Sequence, residues 1–274
     1  LRNSTASNVT MNDRSLVIRT DSGSVSDFLR YVGGYSIRYE GASRIVTGNE
    51  VPVAENVLRS LTVVTGGGLQ LDRHVTANDS LVVGTADRAT FIYTERDSSE
   101  RYVLTYTPQT LDPFYVHPRS EVIGSLRRTG IAGDSTPQLF TNRFTWLAVR
   151  QPAAAVPASL TVRTLPQTFP PYPEGTTKAR RAFFVTATDR TGSPLGSLPY
   201  TFGYAWLDTP SEPTTDEANG LDRQRVILLH WNGARWRNIR SSRVPAALDS
   251  SGWAYSLADT LSQLGPFAIG YPVP

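Results

Sequence analysis

Residues 57–84, VLRSLTVVTGGGLQLDRHVTANDSLVVG, leave the chain little choice of fold. Apolar and polar residues alternate in short runs, and each run stops at glycine or at an Asn-Asp pair. Alternation sends every second side chain to one face of an extended strand, a spacing that does not fit a helix. Asn78-Asp79 suits a tight turn because both residues tolerate left-handed backbone geometry. The spelling recurs: VTMNDRSLVIRT at 9–20 and VTANDSLVVGT at 75–85 both set Asn-Asp before Ser-Leu-Val, with Arg14 extra in the first copy. Repeated short strands with polar turns wind into a parallel solenoid, each coil burying its apolar face on the next. Antiparallel hairpins of a sandwich use the same turns. The expectation is an all-β chain that opens with a solenoid-like strand repeat over 1–95.

Helical periodicity is scarce, with Ser26–Tyr31 and Asp259–Gln263 read as single turns at most. Two proline-rich stretches, QPAAAVPAS (151–159) and LPQTFPPYPEGTT (165–177), read as stiff connections. They make 96–165 an intermediate β segment with a linker. Beyond it, strand signals at Phe183–Thr188, Tyr200–Leu207, Arg225–Trp231, Trp253–Leu257 and Phe267–Tyr271 predict an immunoglobulin-like sandwich over 166–274, of about seven strands. Asn232-Gly233, between Trp231 and Trp236, marks a hairpin, since a type I′ turn needs positive φ at both positions.

Composition excludes several functions. With no cysteine there is neither a disulfide framework nor thiol chemistry, and three histidines make a histidine-rich metal site unexpected. The net charge of +3 is spread over interspersed acids and bases. Arg127-Arg128 and Lys178 with Arg180-Arg181 are the only short basic clusters, so no nucleic-acid partner is expected. No apolar run reaches the roughly eighteen residues of a membrane-spanning helix. The opening LRNSTASNVTMND has neither a basic start nor an apolar core, so no signal peptide is expected, and a start on Leu1 reads as a processed or trimmed chain.

The stretch 35–84 resembles a segment of the large secreted cell-surface proteins of the Bacteroidota and their relatives, adhesin and stalk proteins of the type IX secretion kind. Its Thr47-Gly48-Asn49-Glu50-Val51-Pro52 is similar to their T-G-x-E-[LV]-P element. Leu61-Thr62-Val63, Gly68-Leu69-Gln70-Leu71 and the run from Val75 to Val83 resemble their following strands and coils. Val122–Thr129 resembles the segment such proteins place before a sandwich, Trp231–Trp236 their W-x-G-x-x-W hairpin, and Leu264–Gly270 their closing strand. The resemblance implies an extracellular location and a structural or adhesive role.

Sites for chemistry are sparse. Gly133-Asp134-Ser135 resembles a lipase nucleophile block, but no histidine has Asp three residues before it and no G-x-S-x-G elbow appears, so an Asp-Ser loop is the better reading. Asp216, Asn219 and Asp222 make a weak calcium loop in which the alternate-acid spacing breaks at Ala218. Tyr200, Phe202, Tyr204 and Trp206 alternate, so all four share one face, either as a platform for sugar rings or as sandwich core. Asn3, Asn8 and Asn78 sit in N-x-[ST] acceptor spellings. The reading that emerges is an extracellular structural protein with no cofactor and no active site. It forms a fibre or coat by homo-polymerisation through its terminal strands. A glycan-binding adhesin is the alternative.

Overall fold

A computed structural model describes residues 10–273, apart from 22, 98, 109–113, 153–154, 169–176 and 240–245. No α-helix occurs among the described residues, and none is long and apolar enough to cross a membrane. The chain divides into two compact units, Leu1–Gly130 and Ile131–Pro274.

The first unit holds β1 (Thr10–Met11), β2 (Leu16–Arg19), β3 (Arg30–Tyr31), β4 (Tyr35–Gly41), β5 (Ile45–Val46), β6 (Leu58–Thr65), β7 (Leu69–Gln70), β8 (Val75–Ala77), β9 (Ser80–Val83), β10 (Phe91–Tyr93), β11 (Val103–Tyr106), β12 (Phe114–Val116) and β13 (Glu121–Thr129). They form parallel ladders of a β-solenoid. The first runs β2-β4-β6-β9-β12, the second β5-β7-β10-β13 and the third β8-β11-β13. Alternation supplies the core, because in-register parallel strands stack like on like. Val17, Ile37, Leu61, Leu81 and Phe114 form one inward column. Ile45, Leu69, Ile92 and Val122 form a second, and Val75, Leu104 and Leu126 a third. All of these except Val17 are buried.

The coils turn where glycine permits. Gly68 has φ +86°, and a Cβ on Gly67 would lie 2.1 Å from the Arg44 amide nitrogen. β13 serves two ladders in succession, Glu121–Ile123 on β10 and Ser125–Arg128 on β11. It bends at Gly124, where φ is +96°.

Among the described residues the second unit is a two-layer sandwich of ten strands: β14 (Pro137–Leu139), β15 (Trp146–Val149), β16 (Ser159–Pro166), β17 (Lys178–Thr188), β18 (Ser197–Leu207), β19 (Ile227–Trp231), β20 (Trp236–Ile239), β21 (Ala247–Leu248), β22 (Trp253–Gln263) and β23 (Gly265–Gly270). One antiparallel layer runs β16-β17-β23-β19-β20 and the other β14-β15-β18-β22-β21. Aromatic rings join them. Phe202 on β18 lies 5.6 Å from Phe183 on β17 and 5.8 Å from Phe267 on β23, centroid to centroid.

The all-β solenoid-then-sandwich order matches the expectation, while the boundaries move. Stacked coils continue to Thr129 rather than stopping near residue 95, and β14–β16 already belong to the sandwich, so 96–165 has no fold of its own. The repeat fades from view because the later coil is longer: Leu61 pairs with Leu81, but Leu81 pairs with Phe114. Of the stretch 165–177, residues 169–176 lie outside the described residues, and the strands on either side of it, β16 and β17, pair with each other. Of the stretch 151–159, residues 153–154 lie outside the described residues, and the strands on either side, β15 and β16, belong to different layers. Neither expected helical turn forms: Asp259–Gln263 ends β22, and Arg30–Tyr31 of Ser26–Tyr31 is β3.

Candidate functional site

The N-terminal end of the solenoid is where the structure departs most from an ordinary soluble surface. The Asn12-Asp13 turn sets Arg14 at φ +66°, and the Arg14 amide donates to the Gly34 carbonyl at 2.8 Å. This turn launches β2 in register with β4, so Val17 faces inward over Ile37 while Leu16 and Ile18 face out. The corner is tied by charge: the Arg59 guanidinium reaches Asp13 at 3.1 Å and Asp79 at 2.7 Å, joining the two Asn-Asp turns of the repeat.

Inside, the first coil is held by Glu50, which is fully buried. Its Oε1 accepts from Arg19 Nη1 at 2.5 Å, from the Tyr39 hydroxyl at 2.7 Å and from the Gly48 amide at 3.0 Å. The Tyr35 hydroxyl donates to the Glu50 carbonyl at 2.6 Å. Burial, first, and then the neighbouring Glu50 charge push the Tyr39 phenol well up, so it stays a donor. Arg19 also donates from Nε to the Gly23 carbonyl at 2.7 Å, which fixes the turn out of β2.

Outside, the same coil is apolar. Leu16 is 54% exposed, Ile18 53%, Phe28 57% and Val32 77%. Of the nine exposed large hydrophobic residues described, seven lie between Leu16 and Val53, so exposure is concentrated at this end. Phe28 lies under the Arg73 guanidinium at 5.4 Å, and Arg73 pairs with Asp72. Beside β2 a groove of about 190 Å³ opens, lined by the strand itself from Leu16 to Arg19 and by Met11, Val25 and Leu29. β2 is the last strand of its ladder, with no strand on its outer edge among the described residues.

The residues singled out in the sequence lie elsewhere. Tyr200, Phe202, Tyr204 and Trp206 are at most 1% exposed and fill the sandwich core, so no ring face is left for a sugar. The opposite face of β18 is covered as well, because the Trp146 indole lies over Gly203. Asp216, Asn219 and Asp222 each serve a separate local bond rather than a common cage. Asp216 accepts from the Thr209 amide, Asn219 donates to the Lys178 carbonyl, and Asp222 accepts from the Gln224 amide. Among the described residues no group of three His, Cys, Asp or Glu side chains is placed to hold a metal.

Asp134 and Ser135 both have positive φ and form the turn before β14. Trp231 and Trp236 pack edge-on at 5.6 Å across their hairpin. The Asn78 amide donates to the Glu55 and Leu58 carbonyls, whereas Asn3 and Asn8 fall outside the described residues. Each basic cluster turns part of its charge inward: Arg128 and Arg181 are fully buried and Lys178 nearly so, while Arg127 is exposed and Arg180 half-buried. Of the two terminal strands expected to cross to a neighbour, the C-terminal one is committed at home. β23 lies between β17 and β19 in the middle of its layer. Residues 1–9, the polar lead of the other, lie outside the described residues.

Sequence reasoning missed Glu50 and the apolar end. Strand periodicity marks Leu16 and Ile18 as outward, but it carries no information on whether another coil covers them. Compared with protein-family models, with curated proteins and with solved structures, the chain matches none.

Proposed function

We propose that the protein is a structural subunit of an extracellular fibre or surface coat, joined to its neighbours by β-strand contacts at the N-terminal end of the solenoid. The observation that carries this reading is the apolar outer edge of β2, which pairs with no strand among the described residues. Solenoids in solution need a terminal coil with a polar outer face, and soluble sheets blunt their edges with charge, proline or a bulge. Here β2 reads Leu16-Val-Ile-Arg19, with two half-exposed aliphatic side chains and a charge only at its end. A clustered apolar surface of this kind marks an interaction site. The extracellular location rests on the resemblance to secreted surface proteins. The buried aromatic stripe leaves the glycan-binding alternative without its platform. Electron microscopy and light scattering across a concentration series test the proposal. Ordered assemblies or oligomers support it, and a monomer at every concentration refutes it.

A further inference from the structure

We propose that a polar groove across the outer face of the first solenoid ladder binds a neutral oligosaccharide, laid along the stack of coils. This goes beyond the self-association reading and does not depend on it. The groove also lies apart from the aromatic stripe buried in the sandwich.

The groove has a volume of about 550 Å³ and opens where the strands of the ladder end. Alternation builds its floor. Tyr39 is buried, so its neighbour Glu40 on β4 faces out, and the register sets Glu40 beside Val64 on β6. Thr20 follows the end of β2, while Thr85, Asp87 and Arg88 come from the turn after β9. From β2 to β9 is three strand spacings, about 14 Å, so the groove suits a ligand elongated along the stack.

Its polar groups are held in place with hydrogen-bonding capacity to spare. Asp21 Oδ1 accepts from the Ser43 amide at 2.7 Å, and that bond, with one from the Ala42 amide, holds the carboxyl below the usual carboxylate range. Gly41 leaves it room, because a Cβ there would overlap the Asp21 carboxylate. Arg88 Nη1 donates to the Gly41 carbonyl at 2.7 Å and to the Val64 carbonyl at 3.3 Å. Arg38 Nε donates to Glu40 Oε2 at 2.9 Å. Both guanidiniums keep N–H groups, and Glu40 keeps Oε1, without a hydrogen-bond partner among the described residues.

The balance of charge selects the ligand class. Three carboxylates, Asp21, Glu40 and Asp87, stand against two guanidiniums, which disfavours phosphate or a polyanion. The guanidiniums among the acids disfavour a cation, and no group of three His, Cys, Asp or Glu side chains among the described residues is placed to hold a metal. Val64 is the apolar member of the lining, too little for an apolar ligand but enough for the C–H face of a sugar ring. A hydroxyl both donates and accepts, so neighbouring sugar hydroxyls can bond a carboxylate and a guanidinium together.

The test is a glycan array carrying neutral and acidic oligosaccharides, followed by titration calorimetry with a neutral oligosaccharide that is retained. The unmodified protein is expected to retain neutral oligosaccharides. Glu40→Ala and Arg88→Ala, each checked for an unchanged circular dichroism spectrum, are expected to weaken that binding at least about tenfold. Arg235→Ala, in the turn between β19 and β20, should bind as the unmodified protein does. If Arg88→Ala alters the spectrum, Glu40→Ala decides. Retention of no neutral oligosaccharide overturns the proposal, and so does retention of acidic ones alone. Neutral binding that survives the groove substitutions overturns the site. None of these outcomes depends on whether the chain self-associates.

Discussion

Two carboxylates, Glu50 and Glu217, do for their units what the apolar columns cannot: each fixes a particular loop in place. Glu217 and Arg181 are both fully buried and meet through paired bonds of 2.7 and 3.1 Å. Glu217 also accepts from the Leu207 amide, and the Arg181 guanidinium lies 5.0 Å from the Trp253 ring centre. Glu217→Gln is expected to destabilise the sandwich by about 3–5 kcal/mol in urea unfolding, because a charge is left buried without its counterion. The Arg181→Met, Glu217→Leu double variant should recover most of that loss, since an apolar pair needs no desolvation. Glu50→Gln should cost about 3 kcal/mol in the solenoid and expose the first coil to trypsin at Arg14 and Arg19. Burial lowers the pKa of His230, against the opposing pull of the Leu264 carbonyl it bonds. The folded state therefore binds fewer protons there than the unfolded state, so its contribution to stability is present above the unfolded value of about 6.5 and fades as pH falls through and below it. Urea midpoints measured from pH 7.5 to 5 should decline, and His230→Gln should flatten that decline.

At the scale of elements, β13 shows how one strand serves two ladders. Gly124 has positive φ, and a Cβ there would lie 2.1 Å from the Thr94 hydroxyl oxygen. Gly124→Ala should cost about 2 kcal/mol or more in the solenoid, read from its denaturation midpoint, with the sandwich transition unmoved. Much of this level was legible in the sequence. Alternation placed β4, β6 and β9, and the Asn-Asp echo marked two corners that Arg59 physically links. Asn232-Gly233 marked the β19–β20 hairpin. What escaped was long-range. Proline-rich stretches look alike whether they join domains or close a hairpin, and only the pairing of β16 with β17 separates the cases. Arg128 and Arg181 look like solvent-facing charges until the fold supplies tyrosine, tryptophan or carboxylate neighbours. An aromatic stripe reads the same on a surface as in a core, and for Tyr200–Trp206 the facing layer decides it.

At the scale of the molecule, the proposed self-association would make stability depend on concentration. Any contact made by the folded chain and lost on unfolding raises the melting temperature with protein concentration. The solenoid transition should shift upward across a hundredfold concentration series, and Ile18→Lys should abolish the shift, both read by calorimetry. The two units also differ in when they can form. Each solenoid coil pairs with the one before it, so growth can follow the chain as it emerges from the ribosome. The sandwich has no such schedule. Among the described strands, β17 and β19 are joined through β23, which follows both of them in the sequence. That layer thus stays split until β23 is delivered, a dependence on distant contacts that slows folding. A chain paused before β23 is made has all its solenoid strands in hand and its sandwich still open, and the arrival of Phe267–Ile269 marks the moment the second unit locks.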